Sequence, residues 1–496
     1  MSRTARLTSG AVAGLLPVIW LPTSVDSFIL PRTALTLTAA GVLVWLGLMY
    51  PRASLGRLRW PAMAVVVVAA LAAAFSVAPT LTLVGDYSRY ESLPVRLAYV
   101  GLMCGAIWLA SPGPIVTGFL LGCGVAALEA CYQAFTGSLA RPDGNLGQPN
   151  LLGTLLAMAL PLTVDRARRD WRWLPLALPL VVGLGVSASR SGWLGAGIGL
   201  GIAAVWWTPR RWRPYVVGAA ACVVVGGLAA IVLTPLRDLN DDTGTARLGV
   251  WGDALRMIAA RPVTGWGEDT TGLVFGHFQT GDWQPGNRFD RAHSLPLDLL
   301  ATQGVLGLAA CTWLFATIWH RLWQDRPAAA GLAGALGAYL ACTMLNFDWA
   351  PITAPLWMLA GCAWARERGD VEVVGRTVLP HRRLRIAAGA LATVVGLGIA
   401  VSAQAADIAS YRGRNNLAVR LDPLQPHYWS ALGGVDNLRR AAALGSTDTA
   451  TYVHLGDAAA ARGDRAAADA DYRKALAIYP YDATARQRLR ESRGTG

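Results

Sequence analysis

What most limits this chain is a repeated pattern: stretches of about 20 apolar residues, broken by short arginine-bearing loops, recur up to residue 403. A stretch of that length can cross a hydrocarbon core of about 30 Å as one helix. The apolar segments run over 11–30, 33–50, 60–78, 95–110, 113–135, 149–164, 173–188, 191–208, 215–234, 294–319, 328–345, 351–365 and 384–403. They predict an all-α fold, a polytopic transmembrane bundle of about 12–13 spans. Only 15% of the 496 residues are charged, against about a quarter in an ordinary soluble domain, so most of these side chains must face lipid or each other.

The net charge of +13 would suggest nucleic acid in a soluble protein. Here the arginines sit in short clusters on alternate loops: Arg52/Arg57/Arg59, Arg166–Arg172, Arg210/Arg211/Arg213, Arg321/Arg326 and the segment Arg366–Arg385. Arginine-rich short loops mark the cytoplasmic side. The remaining loops then face outward: Asp86–Glu91, Gly137–Pro149, Ser189–Ser191, 235–293, Asn346–Ala350 and the C-terminal tail. The sequence thus predicts a multi-pass membrane protein whose working face and C-terminus point away from the cytoplasm, into the periplasm if the membrane is a bacterial inner membrane. Its partners are the bilayer and periplasmic molecules, not nucleic acid.

Two regions divide the chain: 1–403, the bundle with its long loop 235–293, and 404–496, a polar, alanine-rich tail. In the tail, Tyr452, Leu455, Gly456, Ala459, Ala468, Tyr472, Ala475 and Pro480 fit the roughly 34-residue tetratricopeptide spacing, with a plain helical hairpin as the alternative. All seven cysteines fall in apolar segments and lack zinc-type spacing. Asp238, Asn240, Asp241 and Asp242 lack the glycine and terminal glutamate of a calcium loop. No metal or cofactor is therefore expected.

The polar residues of interest crowd the outward loops. The long loop reads Arg247-Leu-Gly-Val-Trp251, then Pro262-Val-Thr-Gly265-Trp-Gly267, then Arg288-Phe-Asp-Arg-Ala-His293-Ser294. Arg247, Trp251, Ala254 and Leu255 share a helical face, which predicts an amphipathic helix along the membrane. Ser294 and Pro296 predict a helix start, placing His293 at the mouth of the bundle. Gly144-Asn145-Leu-Gly-Gln148-Pro-Asn150 also opens a helix, whose N-terminus could hold an anionic or carbohydrate group. Arg190 lies in a tight turn between two apolar spans, a costly place for a charge without a partner or a task; snorkelling to the interface is the alternative. Arg89 sits in the loop Asp86–Glu91.

With these residues in view, the chain resembles the bacterial O-antigen ligase superfamily, and within it the pilin-type protein O-oligosaccharyltransferases. The resemblance rests on Arg247-x-x-x-Trp251 leading to Pro262–Gly267, on His293-Ser-Leu-Pro-Leu-Asp298 followed by Gly304 and Gly307, on Ser189-Arg190-Ser191-Gly192, and on the box Gly144–Asn150. It implies an enzyme that moves a preassembled oligosaccharide from a polyprenyl diphosphate carrier to a hydroxyl, on a serine or threonine of a periplasmic protein or pilin, without a metal. A serine hydroxyl needs a positioned base with a pKa near working pH, a part for His293. The leaving diphosphate needs fixed positive charge, for which Arg190 and Arg247 come first and Arg89 and Arg288 stand in reserve. Asn145, Gln148, Asn150 and Trp251 are expected to bind or orient substrate. A lipopolysaccharide O-antigen ligase or O-antigen polymerase would share this donor chemistry. A transporter would place ionisable or helix-breaking residues in mid-span, and no such residue stands out. A membrane scaffold would act through the tail alone.

Overall fold

The computed structural model describes residues 3–233, 244–365 and 381–494, which are helical with no strand among them. The membrane part contains α1 (Arg3–Leu15), α2 (Ile29–Met49), α3 (Arg59–Ala74), α4 (Pro79–Val84), α5 (Leu93–Leu109), α6 (Pro112–Thr136), α7 (Pro149–Ala167), α8 (Leu174–Val186), α9 (Arg190–Trp207) and α10 (Arg213–Leu233). The long loop carries α11 (Gly244–Ala260) and α12 (Thr271–Val274), and the bundle resumes with α13 (Leu295–Gln324), α14 (Ala330–Met344), α15 (Ala350–Trp364) and α16 (Arg382–Tyr411). The tail folds into α17 (Asn415–Leu421), α18 (Pro426–Leu432), α19 (Val435–Ala443), α20 (Thr449–Ala461), α21 (Arg465–Ile478) and α22 (Ala483–Gly494). Five stretches among the described residues are long and apolar enough to cross a membrane: Ile29–Met49, Gly56–Ala74, Pro112–Thr136, Leu295–Gln324 and Arg382–Tyr411. The chain is a multi-pass membrane protein.

The first expected span, 11–30, is not one helix. α1 stops at Leu15, and the chain runs irregularly to Ile29. Pro17 and Pro22 explain this, because a proline has no N–H to give and its predecessor is pushed out of the helical region. The freed carbonyls do not stay bare. Arg32, fully buried in the first turn of α2, donates to the carbonyls of Leu16 (3.0 Å), Pro17 (3.2 Å), Phe28 (2.6 Å) and Asn145 (2.9 Å). Non-helical backbone inside a bundle requires such internal partners.

A second break falls within α13. Gly304 has φ +67° and ψ −167°, so the helix opens there and releases the carbonyls of Ala301 and Thr302. The loop Pro262–Gly267 fills the opening: Trp266 N–H donates to Ala301 (2.9 Å), Gly267 N–H to Thr302 (3.0 Å), and Val305 N–H returns to Pro262 (2.8 Å). A Cβ on Gly304 would lie 2.1 Å from the Val263 carbonyl oxygen, so glycine is required for both conformation and space. This break corrects the expectation that no helix-breaking residue stands in mid-span.

α11 is helical as expected, but its buried face is Val250, Ala254, Met257 and Ile258, while Leu255 is exposed. That face packs with Phe275, Phe289, Ala292 and Ala301 into a small core on top of α13.

The tail is clamped to the same end of the bundle. Asp407, near the end of α16, accepts from the Tyr87 hydroxyl (2.6 Å), the Tyr428 hydroxyl (3.2 Å) and Asp26 N–H (3.0 Å), and His427 stacks on Tyr87 with centroids 3.6 Å apart. In α20 and α21, Ala459, Ala468 and Tyr472 pack together, and Gly456 leaves room for the Tyr472 ring.

Candidate active site

His293 stands immediately before the α13 N-cap, Ser294, with φ +54°, a left-handed backbone that a histidine adopts only when neighbours hold it there. The holding groups grip the preceding peptide from both sides. Asp298, in the first turn of α13, accepts from Ala292 N–H (2.7 Å), and Trp251 of α11 donates its indole N–H to the Ala292 carbonyl (2.9 Å). The His293 ring meets Phe347 edge to face, centroids 5.2 Å apart. Trp251, expected to bind substrate, has its indole N–H engaged by the Ala292 carbonyl.

Arg247, one helical turn before Trp251, donates to the carbonyl of Leu345 (2.9 Å), which closes α14 two residues before Phe347. The backbone next to Arg190 packs on the same helix. Arg190 is the first residue of α9; the next carbonyl, Ser191, accepts from the Cys342 thiol (3.1 Å), one turn before Leu345. A helix C-terminus is the negative end of the helix dipole and favours guanidinium groups. The box Gly144–Asn150 joins through Asn150, whose side-chain oxygen accepts from the Ser189 hydroxyl (3.0 Å). Asn145 has φ +61° and accepts on its side-chain oxygen from Gln133 (3.2 Å), while its carbonyl is held by Arg32. Gln148 caps α7, and its buried Oε1 has no hydrogen-bond partner among the described residues. The last turn of α14 and the residues after it thus join His293, Arg247, Arg190 and Asn150 through a traceable chain of contacts.

Arg89 and Arg288 are placed otherwise. Arg89 is buried against Asp269 (3.2 Å) and the Asp290 carbonyl. Arg288 turns to the tail, donating to the Thr447 carbonyl and to Asp86 (3.2 Å). Both are tied to protein partners that hold the loops together. Asp238, Asn240, Asp241 and Asp242 lie outside the described residues.

Several charged residues escaped the sequence reading. Arg291 lies over the rings of Phe347 (4.0 Å) and Trp349 (4.4 Å) and bonds Asp290 (3.0 and 3.1 Å); its buried Nη1 has no hydrogen-bond partner among the described residues. Beneath it, Arg96 collects three carboxylates: Glu268 (3.3 Å), Glu91 (3.6 Å) and Asp348. Gln303, beside the Gly304 break, donates to Glu268. Burial pushes the Glu91 carboxyl up to about 8 against the pull of Arg96, and the Asp269 carboxyl up to about 6 against the pull of Arg89. Burial also acts on Asp290, but Arg291 and Arg89 outweigh it and hold that carboxyl well below its usual value. Arg96 could have been suspected by the logic that singled out Arg190, since it also interrupts an apolar run.

An apolar cavity of about 620 Å³ descends from this ion cluster between α13, α14 and α15. Arg96 and Asp348 line one end, and Phe315, Trp319, Trp323 and Trp357 line its length.

A buried ion cluster, a clamped histidine and an apolar channel below them are brought together from distant parts of the chain, and residues 152–312 match the family model described as O-Antigen ligase. Residues 152–312 are thus similar to O-antigen ligases. The general O-oligosaccharyltransferase of Acinetobacter baylyi (strain ATCC 33305 / BD413 / ADP1) is 26% identical over 238 residues, covering 42% of this chain and 39% of that protein. The chain thus matches well under half the length of that curated relative. The O-antigen ligase stretch holds Arg190, Arg247, Trp251, His293, Asp298 and Gly304, whereas Asn150, Phe347 and the tail that complete the arrangement lie outside it. Across that stretch and the residues that pack on it, this chain offers an imidazole, nearby guanidinium groups and an apolar channel.

Proposed function

We propose that the chain transfers a preassembled oligosaccharide en bloc from a polyprenyl diphosphate carrier to serine or threonine hydroxyls of periplasmic proteins or pilin. The observation that carries this is the grip on Ala292, which sets His293 beside the end of α14 that Arg247 reaches, while the start of α9, which bears Arg190, is held to the same helix through Ser191. His293 takes the proton of the acceptor hydroxyl as its oxygen attacks the anomeric carbon, with inversion. The bond from that carbon to the diphosphate oxygen breaks, and the diphosphate leaves with the bonding pair. Arg190 and Arg247 balance the growing charge by bidentate pairing. Gln148 and Asn150 orient donor or acceptor. No metal takes part in this scheme. The cavity between α13 and α15 takes the first isoprene units of the carrier. The arginine pattern of the loops puts this face and the C-terminus in the periplasm.

The same chemistry on a lipopolysaccharide hydroxyl is the second reading, favoured by the family description itself. The tail favours protein on the reading that its helix pair, Thr449–Ala461 and Arg465–Ile478, follows the tetratricopeptide spacing. Purified protein given lipid-linked donor and either a serine-bearing periplasmic protein or lipopolysaccharide core separates the two. Glycan on the protein alone is expected. Glycan on the core alone assigns the chain to ligase activity, and transfer to neither rejects both readings.

A further inference from the structure

The tail and the membrane loops enclose a second cavity, of about 640 Å³, similar in size to the apolar one but lined mainly by polar side chains. One wall comes from loop residues 86–88 and 282–288, the other from the tail around residues 425–430, 446–449 and 479–484. Hydrogen bonds across the gap hold it open. Gly286 N–H donates to the Tyr479 hydroxyl (3.0 Å), which donates to Asp282 (3.0 Å), and the Thr447 hydroxyl donates to Asp86 (2.6 Å).

The lining combines three kinds of group. Tyr481 and the largely buried Tyr479 line it with aromatic rings, the Tyr481 ring also carrying the Arg486 guanidinium at 4.8 Å. Ser88, Ser430 and Thr484 offer hydroxyls. Asp282, Asp448 and Asp482 offer carboxylates, while Asp86 is paired with Arg288 (3.2 Å). His427 adds no charge near neutral pH, because burial holds its imidazole below the usual value. A sugar shows apolar C–H groups on its ring face and donor–acceptor hydroxyls around its edge. Aromatic faces cover the first, and carboxylates with several acceptor sites engage the second. A bound peptide would want a sheet edge or apolar sockets for its side chains, and this cleft has neither among the described residues. With four aspartates against one arginine, the cleft repels anionic ligands.

The cleft also lies near His293. Arg288 in its wall is five residues before His293, a reach of at most about 18 Å. Resting on the transferase reading above, we propose that this cleft binds the sugars of the donor glycan remote from the diphosphate, and that it selects neutral or amino-bearing oligosaccharides over acidic ones.

Thr484→Trp fills the cleft from the exposed side of α22, and Tyr481→Ala removes a ring face; thermal unfolding of each establishes that it folds. The first probe is the glycan freed by mild acid from the polyprenyl-linked pool of the producing cells, followed by saturation-transfer NMR on the full-length protein. Both variants are expected to weaken its binding about tenfold. In transfer assays the KM for the full-length donor rises about tenfold, while that for a donor trimmed to one sugar stays unchanged. Equal binding by wild type and folded variants overturns the proposal, as does a rise in KM for both donors or for the acceptor alone. So does a glycan bearing uronic acid that binds as well as a neutral one of the same length. Binding that the variants weaken, in a protein that transfers nothing, keeps the cleft and removes the transferase reading.

Discussion

Gly304→Ala tests whether the broken turn of α13 carries the loop before the site. The added Cβ would sit 2.1 Å from the Val263 oxygen and 2.3 Å from its carbon, both backbone atoms that cannot swing away. Holding a non-glycine residue at φ +67° costs about 1–2 kcal/mol. Expelling Pro262–Gly267 also breaks the three hydrogen bonds from Trp266, Gly267 and Val305, at about 1 kcal/mol each. The local loss is roughly 4–5 kcal/mol, a large part of a stability of about 5–15 kcal/mol. Hydrogen exchange read at 262–267 and at Val305 should therefore speed up by about three orders of magnitude, and glycan transfer should fall with it. Gly398→Ala is the control: nothing lies within 4 Å of a Cβ there, and alanine favours the helix. Exchange at 262–267 that matches wild type in Gly304→Ala would refute the coupling between loop and broken helix.

Three other outcomes follow from the geometry. Trp251→Phe removes one hydrogen bond to Ala292, about 1 kcal/mol, so kcat should drop about fivefold with donor KM unchanged; a change in KM alone would return Trp251 to substrate binding. Arg190→Gln and Arg247→Gln should each lower kcat by about 2–4 kcal/mol of transition-state stabilisation, measured with saturating donor, and an unaltered kcat removes that arginine from the leaving-group role. Asp269 and Glu91 have folded pKa values raised to about 6 and about 8, so their contribution to stability is complete at low pH and is lost as pH rises through those values. Asp290, held low, stays ionised throughout that range. Protection factors in segments 85–92 and 267–272, from which the intrinsic rise of exchange with pH is divided out, should fall from pH 5.5 to 9, and protection that rises over that range contradicts the burial of these carboxyls.

The parts of this molecule legible in its sequence are those encoded by neighbours along the chain. Apolar runs mark most of the helices, and the start of α13 is visible in Ser294 and Pro296. The motifs around Arg190, Arg247 and His293 were also visible as local patterns. Their assembly was not, because every connecting bond joins distant residues: Arg247 to Leu345, Ser189 to Asn150, Trp251 to Ala292. Arg32 was passed over as the edge of a span, although it holds the segment after α1 to the Asn145 turn. Arg89 and Arg288 were read as phosphate donors because they are arginines in polar loops; only the fold reveals Asp269 and Thr447 beside them. Asp298 was quoted within the histidine motif, five residues after His293, yet its task appears only when the chain turns back to Ala292.

The central claim is that His293 is the base of a glycan transfer. Purified His293→Ala, folded by thermal unfolding and supplied with lipid-linked donor and a serine-bearing acceptor, measures it directly. The account predicts that transfer falls by about 10²–10⁴-fold while donor binding is retained. Transfer at the wild-type rate would contradict it and leave Arg190 and Arg247 beside a histidine that only supports the fold.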